Sequence, residues 1–296
     1  MIEFVRALNN FNADGFLPLT HNGDVIGYIN RHFLDFVQIA PFAVTENAVV
    51  YKHSTVEDDS VMINSHFKAL KDNSRTPSEL RDELSGWRNE EYGVYSSTNQ
   101  LLFRLERAAA GILGIPTYGI HVNGYTPTYN LWIPRRARTK QTYPGMLDNT
   151  VAGGIAFGDS VLHTVMKECA EEANLEHEVI RSSLKSAGVV TYFYRKNGLF
   201  AQPEIQFIFD LLLDDSVTPA PNDGEVEAFY KMTVEQATQY LQDHQFKPNC
   251  ALVLIDFFVR HGFISPDADE YIELNQNMHR VLPLSNIFTP RQMKLT

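Results

Sequence analysis

Residues 153–175 read GGIAFGDSVLHTVMKECAEEANL, and residues 160–173 within them carry apolar positions at helical spacing, with Asp159 or Ser160 placed to cap the N-terminus. Stepping about 100° per residue puts Leu162, Val165, Met166, Cys169 and Ala173 in one stripe and Glu168, Glu171 and Glu172 together in the adjoining sector. Such a helix must bury its stripe against another layer, so the rest of the chain has to supply one. Lys167 stands one turn before Glu171, where it can hold that carboxylate. Like charges one turn apart repel, and acids near a helix C-terminus oppose the macrodipole, each by a few tenths of a kcal/mol. The cluster is therefore either a solvated face or a cage for a divalent cation. Mg²⁺ and Mn²⁺ favour hard oxygen ligands of this kind.

The flanking chain predicts the missing layer. Before residue 115, DVIGYI and AVVYKH read as strands, with Asn22-Gly23 as a turn signal, while SELRDELSGWRN and NQLLFRLERAAAGILG show helical spacing, the latter stopped by Gly114 and Pro116. From Tyr118, YGIHVNGY and YNLWIPRRA predict a hairpin, followed by a loop rich in Gly, Pro and Asp that leads into the acidic helix. VVTYFYR and EIQFIFDLLL read as further strands, and TVEQATQYLQDH and NCALVLIDFFVRHG as helices. The expectation is an α/β (α+β) architecture with two domains, residues 1–115 and 116–283, and a loosely held tail over 284–296.

Hydrophobic residues at 44% and charged ones at 21% fit a globular chain. A net charge of -11 argues against nucleic acid and anionic membranes as partners and favours small molecules. With Cys169 and Cys250 alone there is no disulfide framework, and residues 1–15 lack the basic start and apolar core of a signal peptide. A cytoplasmic protein is expected. No apolar run approaches the roughly 20 residues needed to span a bilayer.

The acidic helix resembles the Nudix box, G-x5-E-x7-R-E-U-x-E-E-x-G-U, with Gly153, Glu168, Glu171, Glu172 and Leu175 on its register. Asp159 stands where the family has Glu, Lys167 where it has Arg, Cys169 where it has an aliphatic residue and Asn174 where it has Gly. Asn tolerates the left-handed conformation at a helix end best among non-glycine residues. The segments GWRNEEYGVY, LERAAAGILGIPTYGIHVNGY, LWIPRRARTKQTYPGMLDNTVAGG, KECAEEANL, NDGEVEAF and FKPNCALVLIDFFVRHG are similar to one Nudix group, related to the Nudix half of fungal thiamine diphosphokinase fusions. That resemblance implies a mixed sheet sandwiched between helices, a smaller N-terminal α+β domain, and hydrolysis of a small organic diphosphate. Thiamine diphosphate or its oxidised forms would be converted to the monophosphate.

Within this reading Glu168, Glu171 and Glu172 are the ligands of Mg²⁺ or Mn²⁺, and Glu171 and Glu225 are the candidate catalytic acids. Gly153 and Lys167 support the site. Arg135, Arg136 and Lys140 are the candidates for the phosphate oxygens. Glu225 and Glu227, two apart on a strand, share a direction by its alternation. His121 and His163 read as structural. The partner is a small-molecule diphosphate, and a homodimer is compatible with the sequence. Three alternatives stay open: a hydrolase of nucleoside diphosphate derivatives, a catalytically silent diphosphate-binding module, and an isopentenyl diphosphate isomerase. The last resembles the chain least, because that activity employs a cysteine before the box and none precedes Cys169.

Overall fold

A computed structural model describes residues 1–290. The N-terminal part runs α1 (Ile2–Ala7), β1 (Phe16–His21), β2 (Asp24–Asn30), α2 (Leu34–Val37), β3 (Phe42–Val44), β4 (Val49–Tyr51), α3 (Val56–Asp72), α4 (Ser78–Leu84), β5 (Glu91–Tyr95), β6 (Leu101–Glu106) and α5 (Ala110–Leu113). Asn22 and Gly23 both take positive φ, which matches the twist of the β1–β2 hairpin they join. The four-stranded sheet is ordered β2-β1-β4-β3. α3 opens on Thr55, whose hydroxyl accepts from the Asp58 amide, with Glu57, Asp58 and Asp59 in the positive first turn.

One expected helix is largely a strand. Residues 101–106 pair antiparallel with residues 91–95, and only Ala110–Leu113 is α-helical before the left-handed Gly114. The partner strand, 10 residues upstream, outweighs a helical spacing that strand alternation fits nearly as well. Gly114 has no substitute: a Cβ there would lie 2.2 Å from the Tyr28 carbonyl oxygen and 2.9 Å from Ala201 Cβ, at a φ of 60°. Gly114→Ala is expected to cost about 2–4 kcal/mol of unfolding free energy, measurable by urea titration, because strain and overpacking add.

The second part continues with β7 (Thr117–Tyr125), β8 (Leu131–Arg136), β9 (Val151–Gly154), α6 (Val161–Ala173), α7 (His177–Ser183), β10 (Leu184–Lys196), β11 (Phe200–Leu212), β12 (Val226–Met232), α8 (Val234–Gln242), α9 (Pro248–Arg260) and α10 (Tyr271–Met278). Its mixed sheet is ordered β10-β11-β7-β8-β12, with β9 also paired to β7. β7 and β11 are parallel and buried along most of their length, as both faces of the sheet are covered. α6 packs with Ile120, Val122 and Val151 on one face; α9 packs with Ile133, Val190 and Ile208 on the other. The sheet is thus sandwiched between helices.

Residues 285–288 are tied down rather than loose. The Ser285 amide donates to the Val25 carbonyl, the Phe288 amide to the Tyr118 hydroxyl, and Asn286 is buried. Residues 291–296, the rest of the expected tail, lie outside the described residues. No helix among the described residues is long and apolar enough to cross a membrane.

Candidate active site

α6 begins at Ser160, whose hydroxyl accepts from the His163 amide, and ends at Asn174 in the left-handed conformation. Val165, Cys169 and Ala173 are buried as the spacing predicts, but Leu162 is 61% exposed and Glu172 only 9%. The buried sector is rotated towards the acids because the carboxylates face a cavity. That cavity holds about 560 Å³ and lies between the two parts of the chain.

Gly153 admits Glu168 to it. A Cβ on Gly153 would stand 2.6 Å from Glu168 Cδ, so only glycine lets this side chain lie across β9. Burial pushes the Glu168 carboxyl up to about 7; Lys167 partly offsets this, while Glu171 and Glu225 add to it. Glu172 reaches the same strand end, where the Ala152 amide donates to its Oε2 at 3.1 Å. Burial first, then the Asp148 charge, holds Glu172 well above the usual carboxylate range. Glu171 lines the mouth with Lys167, whose Nζ stands 3.8 Å from Glu168 and 4.0 Å from Glu171. Two desolvated carboxylates side by side with one exposed lysine form an under-neutralised pair, and their hard oxygen donors fit Mg²⁺ or Mn²⁺.

The other expected residues divide. Lys140 pairs with Glu225, and both line the cavity; although burial opposes it, that pairing keeps the Glu225 carboxyl below its ordinary value. Glu227 does not share the direction: a register shift between Val226 and Ala228 leaves it exposed, 3.9 Å from Arg138. Arg136 lines the cavity but is largely engaged, donating to Asp148 Oδ2 at 2.6 Å and to the Thr142 and Tyr143 carbonyls. Its position fastens the loop that carries Lys140. Arg135 points away, donating to the Gly145 carbonyl and lying over the Tyr230 ring, because strand alternation sends neighbouring side chains of β8 to opposite faces. The assignment of Arg135 to substrate is corrected on that ground.

Behind Arg136 is a buried polar network. Asp148 accepts from Arg136 and from the Cys250 thiol, His121 Nδ1 donates to Asn149 Oδ1 at 2.7 Å, and Asn149 donates to Asn123. Burial and then Lys247 push His121 down to about 4; burial opposes ionisation of Asp148, but Lys247 and Arg136 still bring it to about 2. Ligand atoms of His121, Asp148 and Cys250 lie within 4.8 Å of one another. With a guanidinium and an ammonium already serving that carboxylate, the trio suits a proton-sharing network better than a cation.

Several wall residues escaped sequence reasoning. Arg88, Glu90, Tyr92 and Arg107 of the N-terminal part line the cavity, with Arg107 2.8 Å from Glu90 and over the Tyr92 ring. A Cβ on Gly154 would lie 2.9 Å from the Tyr92 hydroxyl, so the two parts close against each other beside the acids. GWRNEEYGVY carried the signal, but nothing in it says which side chains turn inward until β5 pairs with β6. Lys247, just before Pro248 opens α9, and Glu204 on β11 also face the cavity.

Comparison with known proteins gives two family matches. The NUDIX domain matches residues 122–251, and a domain of unknown function, DUF4743, matches residues 1–117. The chain is 38% identical to an uncharacterized protein of Saccharomyces cerevisiae, over 94% of this chain and 87% of that one. It is 34% identical to Nudix hydrolase 20, chloroplastic, of Arabidopsis thaliana, over 89% of this chain and 72% of the plant protein. A crystal structure from Deinococcus radiodurans aligns with a TM-score of 0.45 at 18% identity, covering 57% of this chain and 99% of that one.

Proposed function

The chain belongs to the Nudix hydrolase family, and from that premise we propose that its interdomain cavity hydrolyses the diphosphate of a small organic substrate with the help of a divalent cation. The observation that carries this reading is the pair of desolvated carboxylates, Glu168 and Glu172, converging beside Gly153 in a cavity that also presents Lys140 and Lys167. Glu168 and Glu172 would hold Mg²⁺ or Mn²⁺, with Glu171 at the mouth as a third ligand. The ion would neutralise phosphate charge and acidify a water.

The chain's own groups do the rest. Lys140 and Lys167 stand ready to draw phosphate oxygens into the acidic site, Lys140 by exchanging its Glu225 partner for the substrate. Freed of the lysine, Glu225 is the acid we assign to accept a proton from water. Wall residues from both parts help to desolvate Glu168 and Glu172, which strengthens the interactions these two acids make. On resemblance, the substrate is thiamine diphosphate or an oxidised form, giving the monophosphate and phosphate.

The test is phosphate release with Mg²⁺ or Mn²⁺ from thiamine diphosphate, its oxidised forms, ADP-ribose and dinucleotides. Selective turnover of a thiamine diphosphate supports both parts of the reading. Turnover of ADP-ribose or dinucleotides alone moves the substrate to the nucleoside class, and no turnover of any substrate makes this a silent binding module.

The pH dependence has a definite sign. Protons compete with the cation for Glu168, so metal affinity is expected to tighten as pH rises through about 7, by up to about tenfold per pH unit for each proton released. Calorimetric titration of Mn²⁺ at several pH values measures it; a flat profile from pH 5 to 8 contradicts it. Because the folded carboxyl is raised from 4.5 to about 7, its contribution to stability is present at low pH and fades across that interval. Added metal restores it.

A further inference from the structure

The end of the cavity away from the carboxylate pair has a chemistry of its own. Glu204 and Gln206 of β11 and Thr117, Gly119 and His121 of β7 lie on one face of the sheet, as the register Glu204↔Thr117 and Gln206↔Gly119 requires. A Cβ on Gly119 would meet Gln206 Oε1 at 2.3 Å, so glycine leaves room for the amide. The Gln202 and Gln206 side-chain amides donate to the two Glu204 oxygens at 2.9 and 3.0 Å and fix the carboxylate in place. Tyr192 and Tyr194 of β10 stand opposite Glu204 and Gln202, with ring centroids 6.1 Å apart.

The ion pairs at this end pass Glu204 by. Lys196 is taken by Glu83 and Arg107 by Glu90, each at 2.8 Å, and although the charges of Lys247 and Arg107 act on Glu204, it has no ion-pair partner in contact among the described residues. The diphosphate is placed at the other end, where a cation held by Glu168 and Glu172 would stand beside Lys140 and Lys167. β11 and β9 flank β7 on its two sides, so their backbones are about 10 Å apart, a span suited to a diphosphate joined to a ring.

We infer that Glu204 is the specificity-determining residue of this cavity, where its carboxylate, framed by Tyr192 and Tyr194, receives a nitrogen heterocycle bearing positive charge or N–H donors. The assignment deepens the hydrolase reading and rests on it for the placement of the diphosphate. Carboxylate and tyrosine faces both favour a cationic ring, whereas an aliphatic chain leaves the buried acid unanswered. Burial pushes the Glu204 carboxyl upward, and a positive charge arriving beside it offsets that desolvation.

Equilibrium binding of thiamine monophosphate and of isopentenyl monophosphate to the full chain, without metal, tests the assignment. Wild type should prefer the thiamine compound. Glu204→Gln should weaken it by about tenfold or more and the aliphatic one by less than about twofold. Equal losses for both ligands, or no loss for either, overturn the assignment. If melting shows that Glu204→Gln is unfolded, Glu204→Asp, which withdraws the carboxylate by one methylene, must give the same selective loss. Turnover is measured separately: selective binding without hydrolysis supports Glu204 and sinks only the hydrolase reading, while hydrolysis with unchanged selectivity in the variant does the reverse.

Discussion

Glu172→Gln is expected to lower diphosphate hydrolysis about a thousandfold while the metal-free protein melts at the same temperature or higher. The activity loss follows from removing one ligand charge from a cation whose transition-state stabilisation is worth several kcal/mol. The stability result follows from burial. Glu172 is 9% exposed and its carboxyl is held well above the ordinary range, so the ionised form is already costly to the fold. A neutral amide of the same shape removes that cost and can still accept from the Ala152 amide. Steady-state phosphate release beside a melting curve at pH 8 checks both halves. A normal rate sinks the metal-cage reading, and a large drop in melting temperature shows that Glu172 is structural.

Gly153→Ala should weaken metal binding and turnover by about ten- to a hundredfold, with far less effect on stability than Gly114→Ala. Both glycines are close approaches, but the obstacles differ. At Gly114 the clash is with the Tyr28 backbone, which cannot move without shifting β2. At Gly153 the atoms met are Cγ and Cδ of Glu168, the outer part of a flexible side chain, which can swing aside at the expense of its place in the site. Mn²⁺ titration and melting curves on both variants separate the cases. Unchanged Mn²⁺ affinity in Gly153→Ala would show that the Glu168 carboxylate does not need this position.

The acidic helix was legible because its ends and its buried stripe are local: Ser160 caps it, Asn174 stops it, and Val165, Cys169 and Ala173 are buried at helical spacing. Strand runs with their own turn signals, such as Asp24–Asn30 after Asn22-Gly23, were legible for the same reason. Residues 101–106 were not, since their strand state depends on pairing with β5.

The chain by itself therefore determined the acidic helix, its ends and its buried stripe, which are properties of short spacings and of residue types, while the sandwiched mixed sheet and the family followed from its resemblance to the Nudix box. Tertiary structure decided which side chains meet: that Arg135 turns away while Arg136 turns in, that Glu172 is buried, that Lys140 closes on Glu225, and that the N-terminal part walls the cavity with Arg88, Glu90, Tyr92 and Arg107. Those outcomes depend on strand register and on contacts between residues far apart in the chain. A one-residue change of register reverses the face on which a side chain lies, and no local spacing encodes it.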